Sequence, residues 1–231
     1  MFVSRSMTPK VVTIDAESGI FKGQELMAAH SIRHLPVVDA EDRLIGIVTD
    51  RDLRSALPYS LLKDPSRLEE REVLKDLKIK DIMTTSPKTI GPHHTIQDAL
   101  LLIQKLKVGA LPVVDADGRL KGIISVRDLL RAFINVFGIG EPGTLLCILV
   151  EEKVGQLKKI VDAITEEGIS FGSVLVARYF EENKRAVFPY LLTQNVARIK
   201  RKLQSMGYTL LDPMEWYLDQ LPQHEREKTP L

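Results

Sequence analysis

Two short stretches of this chain pair a hydroxyl with a carboxylate three residues on, Thr49 with Asp52 and Ser125 with Asp128, and each acid is preceded by an arginine, Arg51 or Arg127. An ionised carboxylate accepts hydrogen bonds at two oxygens, so it can receive two neighbouring hydroxyls of a ligand. A helix opening at such an aspartate turns its free N–H groups and positive dipole end toward an anion, and the neighbouring arginine would add a phosphate ligand. The bland alternative is that the aspartates only cap their helices, with Thr49 and Ser125 suited to the same task, and that the arginines lie on a solvated face. No Ser-His-Asp or Cys-His constellation and no glycine-rich phosphate loop occurs, so the chain reads as a binding protein rather than an enzyme. His93 and His94 are adjacent and point apart, and His30 with His34 has no Cys or carboxylate cluster to complete it, so no metal site is expected.

The two pairs stand 76 residues apart because a longer stretch repeats at that offset: Met7 to Leu53 lies over Met83 to Leu129 without a gap, with 19 identities in 47 positions. Shared blocks are Leu35-Pro36-Val37-Val38-Asp39-Ala40 with Leu111 to Ala116, and Gly46-Ile47 and Arg51-Asp52-Leu53 with Gly122-Ile123 and Arg127-Asp128-Leu129. Repeated units of this size complete their cores against each other, and their shared interface is the natural ligand site.

The 231 residues are 44% hydrophobic and 27% charged, enough for about two domains of an ordinary soluble protein. With 32 Lys plus Arg against 31 Asp plus Glu there is no bulk charge to draw nucleic acid or a membrane surface, so any anion must be bound locally. Cys147 lies in the apolar run Leu145 to Val150 and reads as a buried structural thiol in a reducing compartment. Without a signal-like or membrane-length apolar run, the expected location is cytoplasmic.

Each repeat begins with Met-Thr and a β-branched stretch ending at Ile14 or Ile90, then a helix. In the second copy Thr95 and Asp98 predict a capping box, with Ile96, Ala99, Leu100, Ile103 and Leu106 as the apolar stripe; Gly19 and Gly23 weaken the first copy. Two apolar runs about a polar turn predict a hairpin, and a last helix opens near Asp52 or Asp128, a β-α-β-β-α unit. The glycines of Gly138 to Gly143 mark a boundary. Beyond it, a strand at Leu145 to Val150, a helix with Leu157, Ile160, Val161 and Ile164 inward, strands at Ser173 to Phe180 and Arg185 to Leu192, a helix with Val196, Ile199, Leu203 and Met206 inward and a strand at Tyr208 to Leu211 follow the ferredoxin-like order βαββαβ. The basic Arg198-Ile199-Lys200-Arg201-Lys202 reads as a solvated face, and Tyr208, Trp216 and Tyr217 as packing or dimer contacts. The expected organisation is repeat 1 over 1–60, a partly helical, exposed connection over 61–80 with charged residues 67–72, repeat 2 over 81–138, a second domain over 144–212 and a disordered tail within 213–231.

The Leu-Pro-Val-Val-Asp and Gly-Ile-x-Thr/Ser-x-Arg-Asp-Leu blocks resemble the CBS domain, and two copies resemble a CBS pair. Residues 144 to 212, through the βαββαβ order and Gly155-Gln156-Leu157, resemble the ACT domain. The whole is similar to the bacterial acetoin-utilization accessory proteins, a mixed α/β (α+β) chain of CBS pair and ACT unit. The resemblance implies that Thr49, Asp52, Ser125 and Asp128 hold an adenosine ribose and that backbone just before Leu-Pro receives the base. It assigns base contacts to Arg33, His34, Gly109 and Ala110 with flanking Thr13, Pro36, Thr89 and Pro112, and phosphate to Arg51 and Arg127. Pseudo-twofold packing would let each copy contribute to both clefts; Gly109 and Ala110 would admit a purine closely, while Arg33 and His34 would reach phosphates or crowd the base. The implied ligand is AMP, ADP or ATP, or a related adenosyl compound such as S-adenosylmethionine or NAD, with no resident cofactor. A regulatory homodimer acting on an unidentified partner follows, with a nucleotide-independent dimerising adaptor as the alternative. In the ACT-like loop Val154 precedes Gly155 where that family has proline, and Ser170 stands where amino-acid binders place Asn, so this unit reads as a dimerisation or docking element.

Overall fold

The computed structural model describes residues 1–58, 72, 74–181 and 183–211. It separates into two compact units, Met1–Ala132 and Phe133–Leu231. The expectations for residues 67–71, for Trp216 and Tyr217 and for the tail fall outside the described residues.

The first unit opens with α1 (Val3–Ser6), α2 (Ile20–His30), β1 (His34–Val38), β2 (Leu44–Thr49) and α3 (Asp50–Ala56). The second copy follows as α4 (Ile79–Ile82), β3 (Thr84–Thr85), α5 (Ile96–Leu106), β4 (Ala110–Val114), β5 (Leu120–Ser125) and α6 (Val126–Phe137). The hairpins are matched in detail: β1 with β2 and β4 with β5 run antiparallel, and each shifts register at its Val-Val, between Val37 and Val38 and between Val113 and Val114. Each turn is held by an aspartate carboxylate that accepts from two backbone N–H groups: Asp39 from Glu41 and Arg43, Asp115 from Asp117 and Arg119. The turn tips then bond to each other reciprocally, Leu44 N–H to the Gly118 carbonyl at 3.1 Å and Leu120 N–H to the Asp42 carbonyl at 2.9 Å.

The Met-Thr lead-ins cross between copies. Thr8 bridges to Ile123 of the second hairpin, whereas Thr84 pairs with Ile47 of the first. Further along, the same segments return home, Ile14 bridging to Val37 and Ile90 to Val113. The repeated glycines make the crossing possible: a Cβ on Gly122 would lie 2.6 Å from Met7 Sδ and 2.8 Å from the Thr8 carbonyl, and one on Gly46 would lie 2.5 Å from Met83 Sδ. The short helices cross as well. Val3 donates its N–H to the His94 carbonyl at 2.8 Å, and Ile79 donates to the Ser18 carbonyl at 2.9 Å. Ile79 is fully buried in the first copy's core with Ile14, Ile20, Met27, Leu35, Val37, Val48, Leu53 and Leu57. This is why Gly23 sits in α2: a Cβ there would be 3.0 Å from Ile79 Cδ1.

The α5 capping box forms as predicted, Thr95 Oγ1 donating to Asp98 Oδ2 at 2.7 Å and accepting from Asp98 N–H at 3.1 Å. Its buried stripe is Ile96, Ala99 and Ile103; Leu100 is exposed, because the helix turns it past the edge of the core. The final helices begin two residues before the aspartates, at Asp50 and Val126, which places Asp52 and Asp128 in the first turn.

The second unit contains β6 (Thr144–Leu145), β7 (Cys147–Glu151), α7 (Gln156–Glu166), β8 (Phe171–Glu181), β9 (Lys184–Leu191), α8 (Ala197–Ser205) and β10 (Thr209–Leu211). From β7 onward the order is βαββαβ. The strands lie β10-β7-β9-β8, all antiparallel, with β6 also against β9. Its core gathers Ile148, Ile160, Ile164, Val187, Leu191, Ile199 and Leu203. Two residues expected inward are exposed: Leu157 lies in the first turn of α7, and Met206 is the C-cap of α8, beyond its packed face. The basic helix is not simply solvated either, since Lys202 Nζ donates to Glu166 at 2.8 Å and to Glu167 at 3.2 Å, and Arg198 pairs with Glu167 at 2.6 Å, joining α8 to α7.

Candidate functional site

Within the first unit a cavity of about 360 Å³ opens where the two copies meet, a volume suited to a small ligand. The lead-in of the first copy supplies Thr8, Lys10, Val11 and Val12, and the segment entering β1 supplies Ser31, Ile32, Arg33 and His34. From the second copy come Gly109, Ile123, Ser125, Val126, Arg127, Asp128 and Arg131.

Asp128 is the buried charge of this cavity, 5% exposed. Its two oxygens have different surroundings. Oδ2 accepts from Ser125 N–H at 2.9 Å and from Ser125 Oγ at 2.5 Å, while Asp128 N–H returns a bond to Ser125 Oγ at 3.3 Å. Oδ1 accepts from Thr8 Oγ1 at 3.3 Å and lies 3.6 Å from Arg131. Helix capping therefore occupies one oxygen and leaves the other toward the lead-in strand, with lone pairs to spare. Capping and ligand reception, alternatives in the sequence, are compatible in the structure. In the first copy Thr49 and Asp52 build the same capping box, with Thr49 Oγ1 donating to Asp52 Oδ2 at 2.7 Å.

The purine-sized gap expected at Gly109 is partly taken by a side chain: a Cβ on Gly109 would lie 3.0 Å from His34 Nε2. Burial and, next, the neighbouring Arg33 charge push the His34 pKa below the usual imidazole value, so the ring is neutral at pH 7. It can offer a hydrogen bond and a flat face without adding charge.

The structure thus brings together Arg33, His34, Gly109, Ser125, Arg127 and Asp128 of the residues singled out in the sequence. Thr49, Arg51 and Asp52 occupy the corresponding place in the other copy. Thr13, Pro36, Thr89, Ala110 and Pro112 do not line this cavity; Ala110 is buried, and the Pro36 and Pro112 carbonyls accept from Ile14 and Ile90. Sequence reasoning passed over Thr8, Lys10 and Arg131. Thr8 had a signal, the Thr8/Thr84 identity; Arg131 had none from the repeat, because its counterpart is Ser55. In the second unit Gly155 has φ +90° at the N-cap of α7, and a Cβ there would meet nothing, so backbone conformation rather than a close approach explains the glycine; Val154 beside it is fully exposed. Cys147 is a buried free thiol with its pKa raised by burial. Among the described residues there is no cluster of three metal-ligating side chains and no helix long and apolar enough to cross a membrane.

Residues 3–59 and 79–135 match the CBS domain family. A CBS domain-containing protein of Dictyostelium discoideum is 37% identical over 137 residues, 59% of this chain and 93% of its own length. The chain belongs to the CBS domain-containing proteins. The CBS pair is also similar to a crystal structure from Vibrio cholerae described as an acetoin utilization protein (AcuB), at 29% identity and a TM-score of 0.50, covering 61% of this chain and 96% of that one. Inosine-5'-monophosphate dehydrogenase of Aquifex aeolicus is 32% identical over 120 residues, which is 52% of this chain but only 22% of the enzyme.

Proposed function

We propose that this protein is a non-enzymatic, cytoplasmic regulator whose CBS pair binds an adenine nucleotide or related adenosyl ligand at the Ser125–Asp128 cleft. The carrying observation is Asp128: buried, fixed by Ser125 through one oxygen, and directing the other toward the cleft beside Thr8 and Arg131. That arrangement suits the two hydroxyls of a ribose, with Arg127 and the first turn of α6 for phosphate and Arg33, His34 and Gly109 for the base side. Because the walls come from both copies, a ligand spanning them biases the geometry of the pair only as far as it binds one arrangement more tightly than another. A thermal-shift panel of AMP, ADP, ATP, S-adenosylmethionine and NAD tests this reading. At least one adenosyl ligand is expected to raise the midpoint by several degrees at saturating concentration, by mass action; a midpoint unmoved by all five refutes it.

The second unit is read as an ACT domain that passes the ligand state to an unidentified partner protein, supported by its βαββαβ order and Gly155-Gln156-Leu157. Its exposed Val154, in place of the family's proline, and Ser170 favour dimerisation or docking over amino-acid capture. The CBS helices α5 and α6 leave Leu101 and Leu130 exposed at 63% and 58%, apolar area of the kind a second copy covers. The expected assembly is a homodimer, and light scattering at tens of micromolar should give twice the 26.0 kDa chain mass. A particle of 26.0 kDa with and without nucleotide contradicts it. Exposed leucines also favour a second reading, a nucleotide-independent adaptor, which predicts the dimer together with a flat thermal-shift panel.

A further inference from the structure

We infer that the Ser125–Asp128 cleft selects the polyphosphate forms of its nucleotide, ATP most strongly, over AMP and over cationic S-adenosylmethionine, and that the CBS pair takes one such polyanion per chain. This rests on the nucleotide reading above and adds to it the charge class and the stoichiometry.

Four cations, Lys10, Arg33, Arg127 and Arg131, line the cavity against one carboxylate, Asp128. They come from separate segments: the crossing lead-in, the approach to β1, and two positions of α6 a turn apart. A monophosphate carries at most two negative charges and cannot match four cations; a triphosphate spans further and carries more. Asp128, held by Ser125 through one oxygen and 3.6 Å from Arg131 through the other, offsets one of these charges and leaves an excess of three. The neutral His34 adds nothing to the balance.

The repeat provides an internal control. At an offset of 76, Lys10 and Arg131 become Ser86 and Ser55, Arg127 keeps a cation, Arg51, and Arg33 and Gly109, both of the lining, exchange places. Lys88 and Lys107 stand at the positions of Val12 and Ser31, but Asp50 replaces Val126 at the first residue of the helix. The counterpart set is therefore four cations, Arg33, Arg51, Lys88 and Lys107, against two carboxylates, Asp50 and Asp52, with Asp50 at the helix end where a phosphate would be received, paired to Arg54. A carboxylate there repels an approaching polyphosphate and takes the dipole's favourable position for itself. The same backbone thus carries one set with an excess of three cations and an apolar first helix residue, Val126, and one with an excess of two and a carboxylate, Asp50, at that place, which is the basis for a single polyanion site.

Calorimetric titration of the full chain with AMP, ADP, ATP and S-adenosylmethionine, magnesium chelated, decides the matter. Affinity is expected to rise from AMP to ATP by roughly tenfold or more, with about one ATP per chain and a steeper loss with salt for ATP than for AMP, because the added contacts are to exposed cations. Arg131→Ser and Lys10→Ser, each installing the other copy's residue on an exposed surface, should each lower ATP affinity several-fold while changing AMP less; melting curves check that both fold. Equal AMP and ATP affinities, or two equivalent ATP sites, overturn the inference and leave the nucleotide reading standing. No binding by any of the four overturns both.

Discussion

Ile79→Ala is expected to destabilise the protein by about 2–5 kcal/mol, the usual cost of emptying a fully buried isoleucine site, and although Ile79 opens the second copy by sequence, that site is in the first. The damage falls on the first copy's core, because α4 packs there. A double-mutant cycle with Gly23 makes the location measurable. In the wild-type background Gly23→Ala pushes a Cβ to 3.0 Å from Ile79 Cδ1 and 3.5 Å from Leu53, and overpacking costs about 1–3 kcal/mol, against the roughly 1 kcal/mol that alanine gains over glycine inside a helix. With Ile79 truncated the clash is gone, and the same change becomes neutral or stabilising. Urea denaturation of the four proteins should therefore show a coupling of at least about 1 kcal/mol. Additive effects would mean that Ile79 and Gly23 do not touch, and the crossing of α4 onto the first copy would be wrong.

Much of this arrangement is legible in the residues, and the failures have a common cause. The hairpins, their aspartate-held turns and the α5 cap are local: the atoms that fix them lie within four positions of one another, so a repeated Leu-Pro-Val-Val-Asp or a Thr-x-x-Asp carries the information. The crossing of the lead-ins is not local. Met7-Thr8 and Met83-Thr84 pair with hairpins more than 35 residues away, and the glycines that admit them, Gly122 and Gly46, look like ordinary strand glycines until the approaching Met sulfur is seen. Gly23 shows the same limit: by propensity it weakens α2, while in the fold it makes room for Ile79. At the site, Ser125, Asp128 and the differing Arg33/Gly109 and His34/Ala110 were visible beside the shared blocks, whereas Thr8, Lys10 and Arg131, which lie apart from those blocks, were not. Arg131 lies one helical turn beyond the Arg-Asp-Leu block and has Ser55 at its counterpart, so neither a shared motif nor the repeat marks it. In the second unit the helical periodicity marked Ile160, Ile164, Ile199 and Leu203 correctly, and it overran at the helix ends, where Leu157 and Met206 extend past the partner sheet.

Asp128→Ala is expected to weaken adenine-nucleotide binding about 10- to 150-fold, corresponding to about 1.5–3 kcal/mol for lost charge-assisted hydrogen bonds. The substitution also removes the acid half of a capping box, so a fall in affinity alone would not separate a ligand contact from a loosened helix. Asp52→Ala supplies the separation. It breaks the matching box in the first copy, where Asp52 Oδ2 accepts from Thr49 N–H and Oγ1 at 2.8 and 2.7 Å, but Asp52 does not line the described cavity. Both variants should lose stability of the size typical of a helix cap, about 0.5–2 kcal/mol, measured by urea denaturation. Asp128→Ala should lose far more affinity by calorimetry than Asp52→Ala, because Asp52 reaches the cavity only through its neighbours Arg33 and His34. Equal affinity in wild type and Asp128→Ala would confine that carboxylate to capping. An equal loss in both variants would make the first copy's Thr49–Asp52 pair part of the binding machinery, by direct contact or through Arg33 and His34, which its helix start and its charge reach.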